Sequence, residues 1–197
     1  MAPKVILTGF MATGKSTVAR LLARRLGWRL IDCDAEISAR AGRPINQIFR
    51  DLGEAHFRAI ERSVIAEISS DARRCAQCSH PRPAVIATGG GAIIDPRNYE
   101  ALCRCGVIIC LTARPEVIAR RVSASVKARP LLTRTGIPLR QRIAELLEER
   151  RQAYESATIT VDTSDRTVEQ VVDAILQSIS ASHLSLGAGR GYTASNG

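Results

Sequence analysis

Four residues near the start of the chain, Gly9, Gly14, Lys15 and Ser16, have the GxxxxGKS spacing that holds the phosphates of a nucleoside triphosphate. Backbone N–H groups that cradle phosphate oxygens must approach closely, and a side chain at Gly9 or Gly14 would obstruct them. Lys15 supplies positive charge for the β- and γ-phosphates, and the Ser16 hydroxyl is a ligand for Mg²⁺. Ala12, Thr13 and Thr17 belong to the same nucleotide-binding stretch. Further on, Asp32 and Asp34 offer two carboxylates, one for hydrated Mg²⁺ and one to accept a proton from, or orient, an attacking hydroxyl. Asp34 is also placed to cap the helix that follows. Arg58 and Glu61 are three apart, and taken alone read as a surface pair worth little. Gly89, Gly90 and Gly91 leave backbone N–H groups open to a ligand, where a plain turn would need fewer glycines. The last group is the arginine set Arg120, Arg121, Arg129, Arg150 and Arg166. Arg129 lies in a stretch without periodicity, and a loop arginine closing over phosphates assists phosphoryl transfer and excludes water.

These residues need a scaffold, and the apolar pattern supplies one. Strands are expected over 4–8, 28–31, 84–88, 107–111 and 158–161, with helices between them. The helix over 15–26 stops at Gly27, the one over 35–41 at Gly42, and a further turn from Pro44 at Gly53. A long amphipathic helix over 54–68 carries Phe57, Ile60, Val64, Ile65 and Ile68 at helical spacing. Later helices are expected over 96–105, 115–123, 139–154 (one long charged helix) and 168–179. Alternating strands and helices imply an α/β fold with a parallel sheet covered on both faces, where ligands bind at the carboxyl ends of the strands. Asp32, Asp34 and the three glycines fall on the same rim as the phosphate loop.

At 197 residues and 45% apolar, the chain suits one domain, with no internal repeat. The net charge of +9 raises nucleic acid as a partner, but the arginines are scattered and only three phenylalanines and three tyrosines are available for stacking. A positive field that gathers phosphates and carboxylates accounts for the charge equally well. No run is long and apolar enough to suggest a membrane span. The first strand begins almost at once, leaving no room for a leader, so a reduced, cytoplasmic monomer is expected. Of six cysteines, Cys33 and Cys110 lie in or beside strands and are expected to be buried.

Taken together, the chain resembles the shikimate kinase family from Val5 to about Ile179. The likeness is carried by GFMATGKST at 9–17, IDCDAEI at 31–37, GRPINQIF at 42–49, GEAHFRAIE at 53–61, TGGG at 88–91 and RPLL at 129–132. The resemblance implies a single-domain P-loop kinase fold over 1–179, with five parallel strands and a mobile lid at about 124–138; from 180 the chain is small and polar, and a disordered tail is expected there. It implies ATP- and Mg²⁺-dependent phosphorylation of the 3-hydroxyl of shikimate, on the route to chorismate. By the family pattern, Ser16 binds Mg²⁺ with Asp32 supporting it through water. Asp34 holds the substrate hydroxyls and serves as base or orienter. Arg58 and Arg150 grip the carboxylate, Gly90 and Gly91 contact the substrate, and Lys15 and Arg129 act on the phosphates. Arg121 and Arg166 lie near the adenine.

The chain departs from the family in three places. The late-helix motif RxPLY reads Arg150-Arg151-Gln152-Ala153-Tyr154, which makes Arg151 a rival to Arg150. Ala12-Thr13 stands where small residues are usual, a change sterics should tolerate. The loop at 69–83 is long and holds Cys75, Cys78 and His80, with Cys103 and Cys105 beyond it. Zinc would need about four such ligands, but Cys103 and Cys105, two apart on a helix, point in different directions. Competing readings are a kinase of another polyol acid such as gluconate, a catalytically dead regulator, and a nucleotide-dependent switch or RNA-associated ATPase.

Overall fold

The structure, a computed structural model, describes residues 3–70, 82–122 and 137–181. Arg129 with nearly all of the expected lid, Cys75, Cys78 and His80 of the long loop, and the expected tail beyond residue 181 lie outside the described residues. Five strands, β1 (Lys4–Thr8), β2 (Arg29–Asp32), β3 (Ala84–Ala87), β4 (Val107–Thr112) and β5 (Ile159–Asp162), form one parallel sheet in the order β2-β3-β1-β4-β5. The chain leaves β1 toward β2 and β3 on one side and reaches β4 and β5 on the other. The carboxyl end of β1 is therefore the switch point where a ligand crevice opens.

The three central strands, β1, β3 and β4, are buried on both faces because both are covered, while the edge strands β2 and β5 are partly exposed. Val5, Leu7, Val85, Ala87, Ile109 and Leu111 face α1 (Lys15–Leu26) and α9 (Val168–Ala181). Ile6, Ile86, Ile108 and Cys110 face the opposite layer. That layer comprises α2 (Cys33–Ala41), α3 (Ile45–Asp51), α4 (Gly53–Ser69), α5 (Pro96–Cys105), α6 (Pro115–Val122), α7 (Leu139–Glu149) and α8 (Arg151–Glu155). Each fully buried Val, Leu or Ile contributes about 1.5–3 kcal/mol, so the sheet holds its carboxyl rim rigidly. Cys33 and Cys110 are buried, as expected. Cys103 is exposed and Cys105 buried, so the two do point apart.

Two expectations need correction. Asp32, not Asp34, caps α2: one Asp32 oxygen accepts from the N–H groups of Asp34 (3.0 Å) and Ala35 (3.4 Å). The helix follows β2 without a loop and starts at Cys33, two residues earlier than expected, so capping falls to the earlier acid and Asp34 enters the first turn. Nor is 139–154 one helix. It breaks at Arg150, whose φ of −108° and ψ of 1° separate α7 from α8. No glycine or proline marks the break, and its cause is tertiary, in contacts described below.

The phosphate loop seats on β4 through Gly9. This residue has φ +126°, and a Cβ there would lie 2.1 Å from the Leu111 carbonyl oxygen. Gly9→Ala is expected to cost at least about 2 kcal/mol in strain and clash, read as a lower midpoint in chemical denaturation. An unchanged midpoint would contradict this seating.

Candidate active site

β1 ends at Thr8, the loop turns through Gly9–Gly14, and α1 starts at Lys15. Gly14 occupies the N-cap with φ 94°, no side chain caps the helix, and its first turn holds no acid. Helix N-terminal N–H groups without a side-chain cap among the described residues, together with the helix dipole, therefore favour an anion. The Lys15 ammonium donates to the carbonyls of Gly9 and Phe10, each at 2.8 Å, and so stays over the loop. The Thr13 hydroxyl donates to Phe10 as well, at 2.8 Å, and is buried. The Thr13 side chain thus shapes the loop from within. Ala12 has φ 62°, so the tolerance expected for it has a cost of about 1–2 kcal/mol relative to glycine. Uncapped helix N–H groups, a held ammonium and the Ser16 hydroxyl in the cleft suit the phosphates and metal of a nucleotide.

This loop opens onto a cleft of about 670 Å³. On the loop side it is lined by Ala12, Gly14, Lys15, Ser16 and Thr17, and across from them by Asp34, Arg58, Glu61, Gly89–Gly91 and Arg150. Ile45, Phe49 and Phe57 make an apolar wall, with the two rings 4.6 Å apart between centroids. Asp32 sits behind Asp34, engaged in its cap.

The glycine triplet joins the two halves, and it does so through missing side chains rather than unusual dihedrals. A Cβ on Gly89 would lie 3.0 Å from Glu61 Oε1 and 3.1 Å from Asp34 Oδ1. One on Gly90 would lie 3.1 Å from the Gly9 carbonyl oxygen, and one on Gly91 2.8 Å from Arg58 Nη2. Each glycine thus lets the turn press against a different functional group. Among the described residues, the N–H groups of Gly90 and Gly91 donate to no protein acceptor.

Arg58 and Glu61 are not a surface pair. The Glu61 side chain is 1% exposed and accepts from Arg58 Nη1 at 2.7 Å, while Glu54 accepts from Arg58 Nη2 at 3.0 Å. Glu61 Oε1 is buried with no partner among the described residues. Burial pushes the Glu61 carboxyl above its ordinary range against the pull of Arg58. Arg58 is held charged because its two carboxylates outweigh its own burial. Asp34 is exposed where the cleft opens and enclosed by protein elsewhere. Burial raises its carboxyl, Asp32 adds to that, and Lys15 and Arg58 pull it back.

The break between α7 and α8 drops Arg150 into this cleft. Its guanidinium lies over the Phe10 ring, 5.6 Å from the centroid, and the residue is 9% exposed. Arg151 is turned away, paired with Glu148 at 3.0 Å and lining a separate cavity. Arg121 reaches the loop from α6, donating to the Ala12 carbonyl (3.3 Å) and to the Thr163 hydroxyl and carbonyl (3.1 and 2.7 Å). Arg166 is exposed in the connection from β5 to α9, three residues past Thr163. Arg120 lies next to Arg121 on α6 and is exposed.

Two participants were not legible in the sequence. Glu61 entered only as a pair with Arg58, and its burial comes from a turn 28 residues later. Tyr154 entered only as a motif marker, yet its hydroxyl donates to the Gly90 carbonyl at 2.6 Å. The sole hint was its spacing of four from Arg150.

The shikimate kinase family model matches residues 11–180. A shikimate kinase of Geobacter sulfurreducens is 44% identical over 171 residues, covering 87% of each chain. The chain belongs to the shikimate kinase family. A solved shikimate kinase from Acinetobacter baumannii in complex with shikimate is 34% identical, with a TM-score of 0.81 over 93% of this chain and 96% of that one. A gluconokinase from Sinorhizobium meliloti, 19% identical with a TM-score of 0.58 over 94% and 95%, shares the fold alone. The likeness to shikimate kinases thus extends through sequence and architecture, and that to the gluconokinase stops at architecture.

Proposed function

We propose that the protein transfers the γ-phosphoryl group of ATP to the 3-hydroxyl of shikimate. The observation that carries this reading is one cleft with an anion-ready helix terminus on one side and two arginines beside two carboxylates on the other. A neutral ring bearing hydroxyls and one carboxylate matches that second side: guanidinium for the carboxylate, carboxylate oxygens for the hydroxyls.

In this reading Lys15 and the first N–H groups of α1 hold the β- and γ-phosphates. Ser16, with Asp32 through water, would hold Mg²⁺, which would offset the negative charge of the phosphates. Asp34 accepts a hydrogen bond from the 3-hydroxyl and aims it at the γ-phosphate. Because such transfers have loose transition states, orientation matters more than early proton removal. Glu61, buried beside Arg58, holds that guanidinium in place for the acceptor. Arg58 and Arg150 hold the carboxylate, and the N–H groups of Gly90 and Gly91 face the acceptor. Arg129 is assigned to the phosphates as lid arginine, and Arg121 and Arg166 to the adenine end. No helix among the described residues is long and apolar enough to cross a membrane. The proposed setting is the cytoplasm. The proposed unit is the monomer.

Steady-state kinetics on two neighbouring arginines tests the acceptor side. Arg150→Met is expected to raise the KM for shikimate about 10- to 100-fold, the loss of a charge-assisted contact. Arg151→Ala should leave it within about twofold, as expected for an exposed pair. The opposite pattern would move the carboxylate contact to Arg151.

A further inference from the structure

Tyr154 has no part in the chemistry above, yet it is the link between two pieces of the acceptor site. It is 6% exposed, and its ring lines the second cavity, of about 390 Å³, alongside Leu147 and Pro115. Its hydroxyl reaches the other way, to the Gly90 carbonyl at 2.6 Å. The Tyr154 N–H donates to the Arg150 carbonyl at 3.1 Å, so the two residues are one helical turn apart on the same side of α8. One short helix thus aims an arginine into the cleft and clamps the glycine turn.

The clamp falls on the peptide most in need of one. Gly90 and Gly91 have no Cβ to restrict them, and the peptide between them could rotate at little cost. A trans peptide is planar, with its C=O and N–H pointing in opposite directions. No cis bond occurs among the described residues. Holding the Gly90 carbonyl against Tyr154 therefore aims the Gly91 N–H away from Tyr154. That N–H has no protein acceptor among the described residues. Tyr154 is absent from the residues lining the main cleft, whereas Gly90 and Gly91 are among them.

We propose that Tyr154 is a positioning residue for the acceptor: its hydroxyl fixes the Gly90–Gly91 peptide so that the Gly91 N–H is presented to the substrate, in register with Arg150. This rests on the shikimate reading above. It makes the affinity for the acceptor, rather than for the nucleotide, depend on one phenolic O–H.

Tyr154→Phe removes that O–H and keeps the ring between the two cavities. The KM for shikimate is expected to rise about tenfold, with kcat and the KM for ATP within about twofold of the parent. With ¹⁵N-glycine labelling, the Gly90 and Gly91 amide resonances should shift or broaden, while those of Gly27 and Gly42 stay in place. An unchanged shikimate KM would overturn the proposal. So would a parallel loss in both KM values together with a lower Tm, which marks a packing role. If Tyr154→Phe fails to fold, the parent enzyme supplies the test through the same glycine resonances. Gly91 should respond to added shikimate, and silence there overturns the proposal. Failure of the underlying reading looks different, since the unmodified protein would then release no ADP in response to shikimate.

Discussion

Asparagine at position 34 is expected to lower kcat by about 100-fold or more, in the range of a lost general-base or orienting group, with the KM for ATP within about twofold. The amide keeps the size of Asp34 and loses the charge that directs the acceptor hydroxyl. The nucleotide contacts lie on the phosphate loop and are untouched. Near-normal turnover would remove Asp34 from the mechanism. The same variant has a second signature. Burial and the neighbouring Asp32 raise the Asp34 carboxyl above its ordinary value despite Lys15 and Arg58. A carboxyl that binds its proton more tightly in the folded state opposes folding once ionised. Its contribution to stability thus falls as pH rises from the unfolded to the folded pKa, and the deficit persists above that window. Asp34→Asn is therefore expected to raise Tm at pH 7 while activity collapses. In the parent, the acid limb of kcat/KM for shikimate, which reports the free enzyme, should lie above the ordinary carboxylate range and should vanish in the variant.

The second large effect is at Arg58. Arg58→Ala is expected to raise the KM for shikimate about 10- to 100-fold, from loss of a charge-assisted contact. It is also expected to cost about 3 kcal/mol of stability, because the buried Glu61 carboxylate loses its partner. The two effects separate in the double variant Arg58→Ala/Glu61→Gln, which should recover most of the stability and none of the affinity. Recovery of both would mean that Arg58 serves the fold alone. An effect on ATP instead of shikimate would show that the guanidinium faces the wrong substrate.

The legible parts of this molecule are those written in contiguous residues. The phosphate loop is one local pattern between a strand and a helix, and its Gly9, Lys15 and Ser16 stand where that pattern places them. The strands were legible because a sheet covered on both faces needs unbroken apolar runs, as in Val5–Leu7 and Val107–Leu111. The illegible parts depend on partners far along the chain. Two charges three apart on a helix look the same whether solvated or buried. The glycine turn, with Gly89 pressed against Glu61 Oε1 and Gly91 against Arg58, distinguishes the two cases. The break at Arg150 has no glycine or proline to announce it, since it is set by Phe10 and by the bond from Tyr154 to Gly90, 64 residues away in sequence. The cap of α2 was misplaced because Asp32 and Asp34 are both suited to it. The start of α2 at Cys33, directly after β2, decides between them.

The central claim is that the phosphate loop is the donor half of a two-substrate site whose acceptor is shikimate. ADP release measured side by side with ATP alone, with gluconate and with shikimate tests it most directly. The account predicts release that depends on shikimate and stays near background in the other two. Release at the same rate without an acceptor, or a preference for gluconate, would contradict it.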